Sequence, residues 1–137
     1  MEKKTRAFYM ILSKGVIVSD ENATAIDIAR LMQEHNVGAV IIMQGEKLVG
    51  IVSERDIARR VIAKDLPAKT TKAKDFMTTE VVTAEFKEGL DKIYDILSHS
   101  QFRHLPIMDN DKLVGIASQR DVLFGLIGDK NEKTNES

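Results

Sequence analysis

KLVGIVSERD, residues Lys47–Asp56, returns 65 residues later as KLVGIASQRD, residues Lys112–Asp121, with eight of the ten positions identical. The same shift lays Val16 on Val81, Ile28 on Ile93, Ile42 on Ile107, Met43 on Met108 and Ile62 on Ile127 without a gap. Thirteen identities fall within 47 aligned residues. Self-similarity at a fixed offset marks a duplicated structural unit. The chain is therefore read as one unit written twice.

Each copy carries the same order of signals. VIVS (16–19) and VVTA (81–84) are short β-branched runs, which predict strands. Ala25, Ile28, Ala29 and Met32 then recur at helical spacing, as do Leu90, Ile93, Tyr94 and Leu97 in the second copy. Thr24-x-x-Asp27 predicts a capping box for the first helix, and Gly89 stands at that place in the second as a weaker cap. VGAVIIM and FRHLPIM predict a strand, QGE and DND a turn, and the two KLVGI stretches the return strand of a hairpin. A last helix places Ile57, Ala58, Val61 and Ile62 on an apolar face, matched by Val122, Leu123, Leu126 and Ile127. The fold class is α/β, with two tandem β-α-β-β-α repeats. The first repeat is expected at 10–63, a Lys-rich connector at 64–75, the second repeat at 76–127 and a polar, disordered tail at 128–137. Lys72–Met77 suits a short helical turn, and Phe8, Tyr9, Ile11 and Leu12 suit a packing helix within residues 1–12.

Composition narrows the function. The 137 residues are 43% hydrophobic and 30% charged, and the formal net charge is −1. That is the balance of a globular chain, and it offers no electrostatic pull toward nucleic acid or a membrane surface. With no cysteine there is no disulfide framework, thiolate zinc site or Cys nucleophile. The longest apolar run, Val37–Met43, is far short of the roughly 20 residues of a membrane span. The apolar stretch Ala7–Leu12 is too short for a secretory leader. These features lead us to expect a soluble, cytoplasmic protein.

Candidate sites each have a structural reading. Ser53-x-x-Asp56 and Ser118-x-x-Asp121 sit where a strand enters a helix, the place of an ordinary capping box. The same place offers helix N–H groups to a phosphate and a carboxylate to a ribose diol, with Arg55 and Arg120 alongside. A glycine late in each strand, Gly50 and Gly115, permits close approach to the backbone. Phe102-Arg103-His104-Leu105-Pro106 replaces the apolar Val37-Gly38-Ala39-Val40-Ile41, so a basic pair appears in one copy alone. It reads either as a surface pair or as an anion contact. Pro106 suits a sheet edge or the first residues of a strand. Asp109-Asn110-Asp111 lacks the remainder of a calcium loop and reads as a hairpin turn. The three histidines show no metal-ligand spacing, and no nucleophile–base pair is suggested, so no metal site and no enzyme is expected.

With GIVSERD and GIASQRD, SERDIAR, NVGAVIIM and FRHLPIMDNDKLVGI in view, the chain resembles a tandem pair of CBS domains, a Bateman module, over about residues 10–127. The resemblance implies two repeats packed with pseudo-two-fold symmetry and two clefts that take AMP, ADP, ATP or S-adenosylmethionine. It implies a regulatory ligand sensor that needs no cofactor, works as a homodimer and acts on a separate protein partner. Dimerisation would use the helix faces Ile57/Val61 and Val122/Leu126. Carried over by residue, the first cleft would use Asp56 for ribose, Ser53, Arg55, Arg103 and His104 toward phosphate, and Thr78 and Val81 around adenine. The second would use Asp121, Ser118 and Arg120 with Lys14, Val16, Gly38, Ala39 and Val40. Gly38-Ala39 lacks the basic pair, so the first cleft is expected to hold the more highly charged nucleotide. The alternatives are a structural scaffold with vacant clefts and, against the balanced charge, a nucleic-acid binder.

Overall fold

The structure, a computed structural model, describes residues 15–100 and 103–120. The expected helix within residues 1–12, the tail and the last helix of the second repeat lie outside them. The chain divides into two compact units, one of Val16–Val81 and one whose described residues are Gly15 and those from Val82 onward.

The first unit holds β1 (Val18–Asp20), α1 (Ala25–His35), β2 (Ala39–Gln44), β3 (Lys47–Ser53), α2 (Glu54–Asp56), a π-helical segment (Ile57–Ile62) and α3 (Ala73–Phe76). Its sheet runs β1-β2-β3, with β1 parallel to β2 and β3 antiparallel. A parallel pair needs a crossover, and α1 supplies it. The apolar stripe of α1 buries Ala25, Ile28 and Met32 against Val40, Ile42 and Val52 of the sheet. The hairpin turns on Gly45, whose φ of 62° is open to glycine at no steric cost.

The connector is less detached than its lysines suggest. The carbonyls of Thr71 and Ala68 accept from the Ala25 and Ile26 amides at 2.9 Å each, satisfying donors that a helix start leaves open. The Ala73 amide donates to Ala23 O at 2.8 Å, and Ala73 and Phe76 are buried in the first unit's core. The expected helical turn is α3, and two apolar side chains among polar ones suffice to seat it.

The second unit repeats the pattern with β4 (Ala84–Glu85), a 3₁₀ turn (Phe86–Glu88), α4 (Gly89–Ser98), β5 (His104–Asp109) and β6 (Lys112–Ser118), in sheet order β4-β5-β6. Asn110–Asp111 is the hairpin turn, as the sequence suggests. Three details differ from expectation. Tyr94 is 43% exposed, so the stripe of α4 consists of Leu90, Ile93 and Leu97. Gly89 does not cap the helix; the backbone and side chains of Glu85 and Glu88 bond reciprocally one turn earlier.

The third concerns Pro106, which is buried as the third residue of β5, in the central strand and not at a sheet edge. In the first unit the Ile41 amide donates to Ile17 O at 3.0 Å. Pro106 is the aligned position and has no N–H to donate to Val82. The strand expected over 81–84 accordingly shrinks to Ala84–Glu85, and Val82 is left exposed.

Candidate functional site

The first unit contains two capping boxes, and comparing them isolates what is particular to one. At α1 the Thr24 hydroxyl accepts from the Asp27 amide at 3.3 Å, and Asp27 Oδ2 accepts from the Thr24 amide at 3.1 Å. Those hydrogen bonds, backbone first, hold the Asp27 carboxyl below its usual range. At α2 the Ser53 hydroxyl accepts from the Asp56 amide at 3.1 Å, and Asp56 Oδ2 accepts from the Ser53 amide at 2.9 Å. The structural reading of Ser53-x-x-Asp56 is thus realised. Because Thr24-x-x-Asp27 is built the same way, the box alone says nothing of a ligand.

Asp56 differs in its further neighbours. Its side chain is 15% exposed. The Thr78 hydroxyl lies 3.5 Å from both carboxylate oxygens, a long contact that leaves room for adjustment. The Arg60 guanidinium Nε stands 3.7 Å from Oδ1, one helical step along. Arg60 Nη1 also donates to the carbonyls of Phe76 and Met77, at 3.2 and 3.3 Å. One arginine therefore ties the Asp56 carboxylate to the segment that carries Thr78.

That segment is seated on Gly50. Thr78 exchanges both backbone bonds with Ile51, at 3.0 and 2.9 Å. A Cβ on Gly50 would lie 2.5 Å from Met77 Sδ and 3.1 Å from Thr78 O. The close approach anticipated at this glycine is made by the protein's own chain. Sequence reasoning missed Arg60 and Met77. The Asp-x-x-x-Arg spacing was a legible signal, since i and i+4 share a helix face.

The amides near the cap are largely spent. Ser53 and Asp56 bond each other, and the Glu54 amide donates to Gly38 O at 3.0 Å. An anion here would depend on the exposed Arg55 side chain more than on the helix end. Val81 is half-buried in the same unit, as are Val16 and Gly38, while Ala39 and Val40 are buried in β2.

The second unit brings His104 opposite Ser118 across β5 and β6, and the Gln119 amide donates to Arg103 O at 3.2 Å, the counterpart of Glu54 on Gly38. Arg103 and Arg120 are exposed, and His104 and Ser118 half-buried. Lys14 and Asp121 lie outside the described residues. The structure thus gathers Ser53, Arg55, Asp56, Thr78 and Val81 in one unit and Arg103, His104, Ser118 and Arg120 in the other. The expected face Ile57/Val61 is corrected: Val61 is fully buried in its own core, whereas Ile62 is 62% exposed. Val122 and Leu126 lie outside the described residues. Among the described residues no group of three or more His, Cys, Asp or Glu could hold a metal ion, and no helix is long and apolar enough to cross a membrane.

A doubled β-α-β-β unit, each hairpin ending in a serine, is matched by known proteins. The model of the CBS domain fits twice, at residues 9–63 and 73–128, and the chain belongs to the CBS-domain family as a tandem pair. It is 34% identical over 126 residues to the CBS-domain protein YhcV of Bacillus subtilis, covering 92% of this chain and 85% of that one. Protein MK0525 of Methanopyrus kandleri is 31% identical over 115 residues, 82% of this chain, and the chain spans only 59% of its length. Among solved structures, the CBS domain pair of protein MJ0100, in complex with 5′-methylthioadenosine and S-adenosyl-L-methionine, superposes with a TM-score of 0.76 at 31% identity, covering 88% of this chain and 94% of that one.

Proposed function

We propose that this chain is a non-enzymatic sensor module that binds an adenosine-containing ligand, with Asp56 accepting the ribose hydroxyls. The observation that carries this reading is the Asp56 carboxylate. It is mostly buried, held by its cap, and faced by a hydroxyl and a guanidinium at distances long enough to yield to a diol. The likeness to a CBS pair that binds 5′-methylthioadenosine and S-adenosyl-L-methionine supports the same ligand class. Arg55, Arg103 and His104 are the proposed phosphate contacts, Thr78 and Val81 the proposed neighbours of the base. The Asp121 site, with Ser118, Arg120, Lys14, Val16, Gly38, Ala39 and Val40, is proposed for a less charged ligand. The module is proposed to act as a homodimer on a separate partner. With Val61 in the core, its π-helical segment offers Ala58 and Ile62 to such an interface.

Calorimetric titration with AMP, ADP, ATP and S-adenosylmethionine tests the reading. Two charge-assisted hydrogen bonds to a diol predict about a 100-fold loss of affinity in Asp56→Ala. Asp27→Ala removes a similar cap away from the site and should leave affinity unchanged. Arg103→Ala should weaken ATP more than S-adenosylmethionine. No heat with any of the four, together with an unshifted melting curve, rejects the ligand reading in favour of a scaffold with vacant sites. The Ser53–Asp56 box, already satisfied within the protein, is the feature that suits the scaffold.

A further inference from the structure

We infer that Arg60 is the positioning residue of the Asp56 site, a clamp that holds the Thr78 segment against Gly50 and the Asp56 carboxylate toward Thr78. Three observations converge. Arg60 Nη1 donates to two successive carbonyls, Phe76 and Met77, at 3.2 and 3.3 Å. Its Nε faces Asp56 Oδ1 at 3.7 Å, so a single side chain spans the helix start and the segment 22 residues further on. The segment has a specific seat, since Thr78 bonds Ile51 in both directions and the Met77 side chain lies where a Gly50 side chain would.

The backbone around Arg60 supports the assignment. Residues 57–62 form a π-helix, with the Ala63 amide donating to Ala58 O and the Leu66 amide to Val61 O. Such wider turns are rare and occur often at functional positions. Here the segment keeps Val61 fully buried while Arg60, its neighbour, reaches the 76–77 carbonyls from a half-exposed position. Arg60 forms no part of the duplicated pattern, because the shift of 65 residues places Gly125 at the corresponding position. A clamp made through this arginine therefore belongs to the first repeat.

The ligand arm of this inference rests on the adenosine reading, and the structural arm does not. Amide hydrogen exchange of the ligand-free protein is measured for wild type, Arg60→Ala and Arg60→Lys. Loss of two hydrogen bonds to a charged donor should speed exchange at Ile51 and Thr78 about tenfold in Arg60→Ala. Arg60→Lys, which keeps a charged donor without the planar fork, should recover part of the protection. Unchanged exchange at both amides in Arg60→Ala overturns the clamp. Titration with S-adenosylmethionine then asks whether positioning reaches the ligand. Affinity should fall about tenfold in Arg60→Ala and show no further fall when the change is added to Asp56→Ala. Equal losses in both backgrounds would place Arg60 outside the Asp56 site and overturn the inference. If wild type binds nothing, the adenosine reading falls and the exchange result alone decides the clamp.

Discussion

Gly50→Ala tests the architecture of the site with the smallest possible perturbation, one methyl group. Gly50 lies in β3 without the positive φ that would exclude alanine, so backbone conformation itself opposes nothing. In a strand, replacing glycine relieves about 0.5–1 kcal/mol of conformational entropy cost. Against this stands contact. The new Cβ would sit 2.5 Å from Met77 Sδ, 2.9 Å from Met77 Cγ and 3.1 Å from Thr78 O. The thioether can swing away, but the carbonyl is backbone and is already bonded to the Ile51 amide at 3.0 Å. Moving it lengthens that bond and drags on the Arg60 contacts to Phe76 and Met77. Overpacking of this kind costs about 1–3 kcal/mol, so the net expectation is a destabilisation of about 1–2 kcal/mol.

Urea unfolding, followed with exchange at Thr78, provides the assay. With a slope of about 2 kcal/mol/M, the midpoint should fall by roughly 0.5–1 M. Adding Met77→Ala separates the two obstacles. It removes the sulfur and Cγ but leaves the carbonyl, so the double variant should recover part of the loss and no more. A Gly50→Ala protein as stable as wild type, with Thr78 exchange unchanged, would refute the claim that this glycine exists to seat the 76–78 segment. Complete rescue by Met77→Ala would refute the role given to the carbonyl.

Two further expectations follow from named residues. The Asp27 carboxyl lies below its ordinary value of 3.8, so its cap is fully present above that pH and is lost as pH falls through the lowered value. The stability gap between wild type and Asp27→Asn, read from thermal melts, should therefore be constant near neutrality and close below about pH 4; a gap that widens on acidification would contradict the assignment. Val61 is fully buried and Ile62 is 62% exposed, so Val61→Ala should cost about 2 kcal/mol and Ile62→Lys less than about 0.5 in urea unfolding. Reversal of that order would restore Val61 to the surface face first expected of it.

Hydrophobic period and the repeat made most of the fold legible. Ala25, Ile28 and Met32 are buried at the spacing that proposed them, and Thr24-x-x-Asp27 is the box its residue types specify. What escaped depended on partners distant in sequence. Nothing local in VVTA says that Val82 will lack a donor; that follows only when β5 lies alongside and Pro106 is found opposite. Tyr94 fits the helical period, yet the stripe of α4 is filled by its neighbours and the ring stays outside. The site divided in the same way. Ser53 and Asp56 were visible because a cap is a local motif. Arg60 was invisible as a partner of Phe76 and Met77, because its hydrogen bonds go to carbonyls, and carbonyls have no residue type.

The duplication itself explains why the two copies need not behave alike. What both share is backbone: the Glu54 amide on Gly38 O is repeated as the Gln119 amide on Arg103 O, and Ile42–Gly50 pairing as Ile107–Gly115. Such bonds survive any change of side chain other than one to proline, so they keep the unit's shape while the surface diverges. The fastening side chains are not shared. In the first unit Arg60 reaches the segment that follows, and Glu54, having no donor, reaches nothing through its carboxylate that Gln119 could reach through its amide. In the second unit Gln119 Nε2 donates to Leu97 O at 2.8 Å, tying the start of the last helix to the end of α4. Each repeat thus anchors the same junction of strand and helix to a different neighbour. The two copies thus keep one backbone frame and fasten it with different side chains, Arg60 in the first and Gln119 in the second.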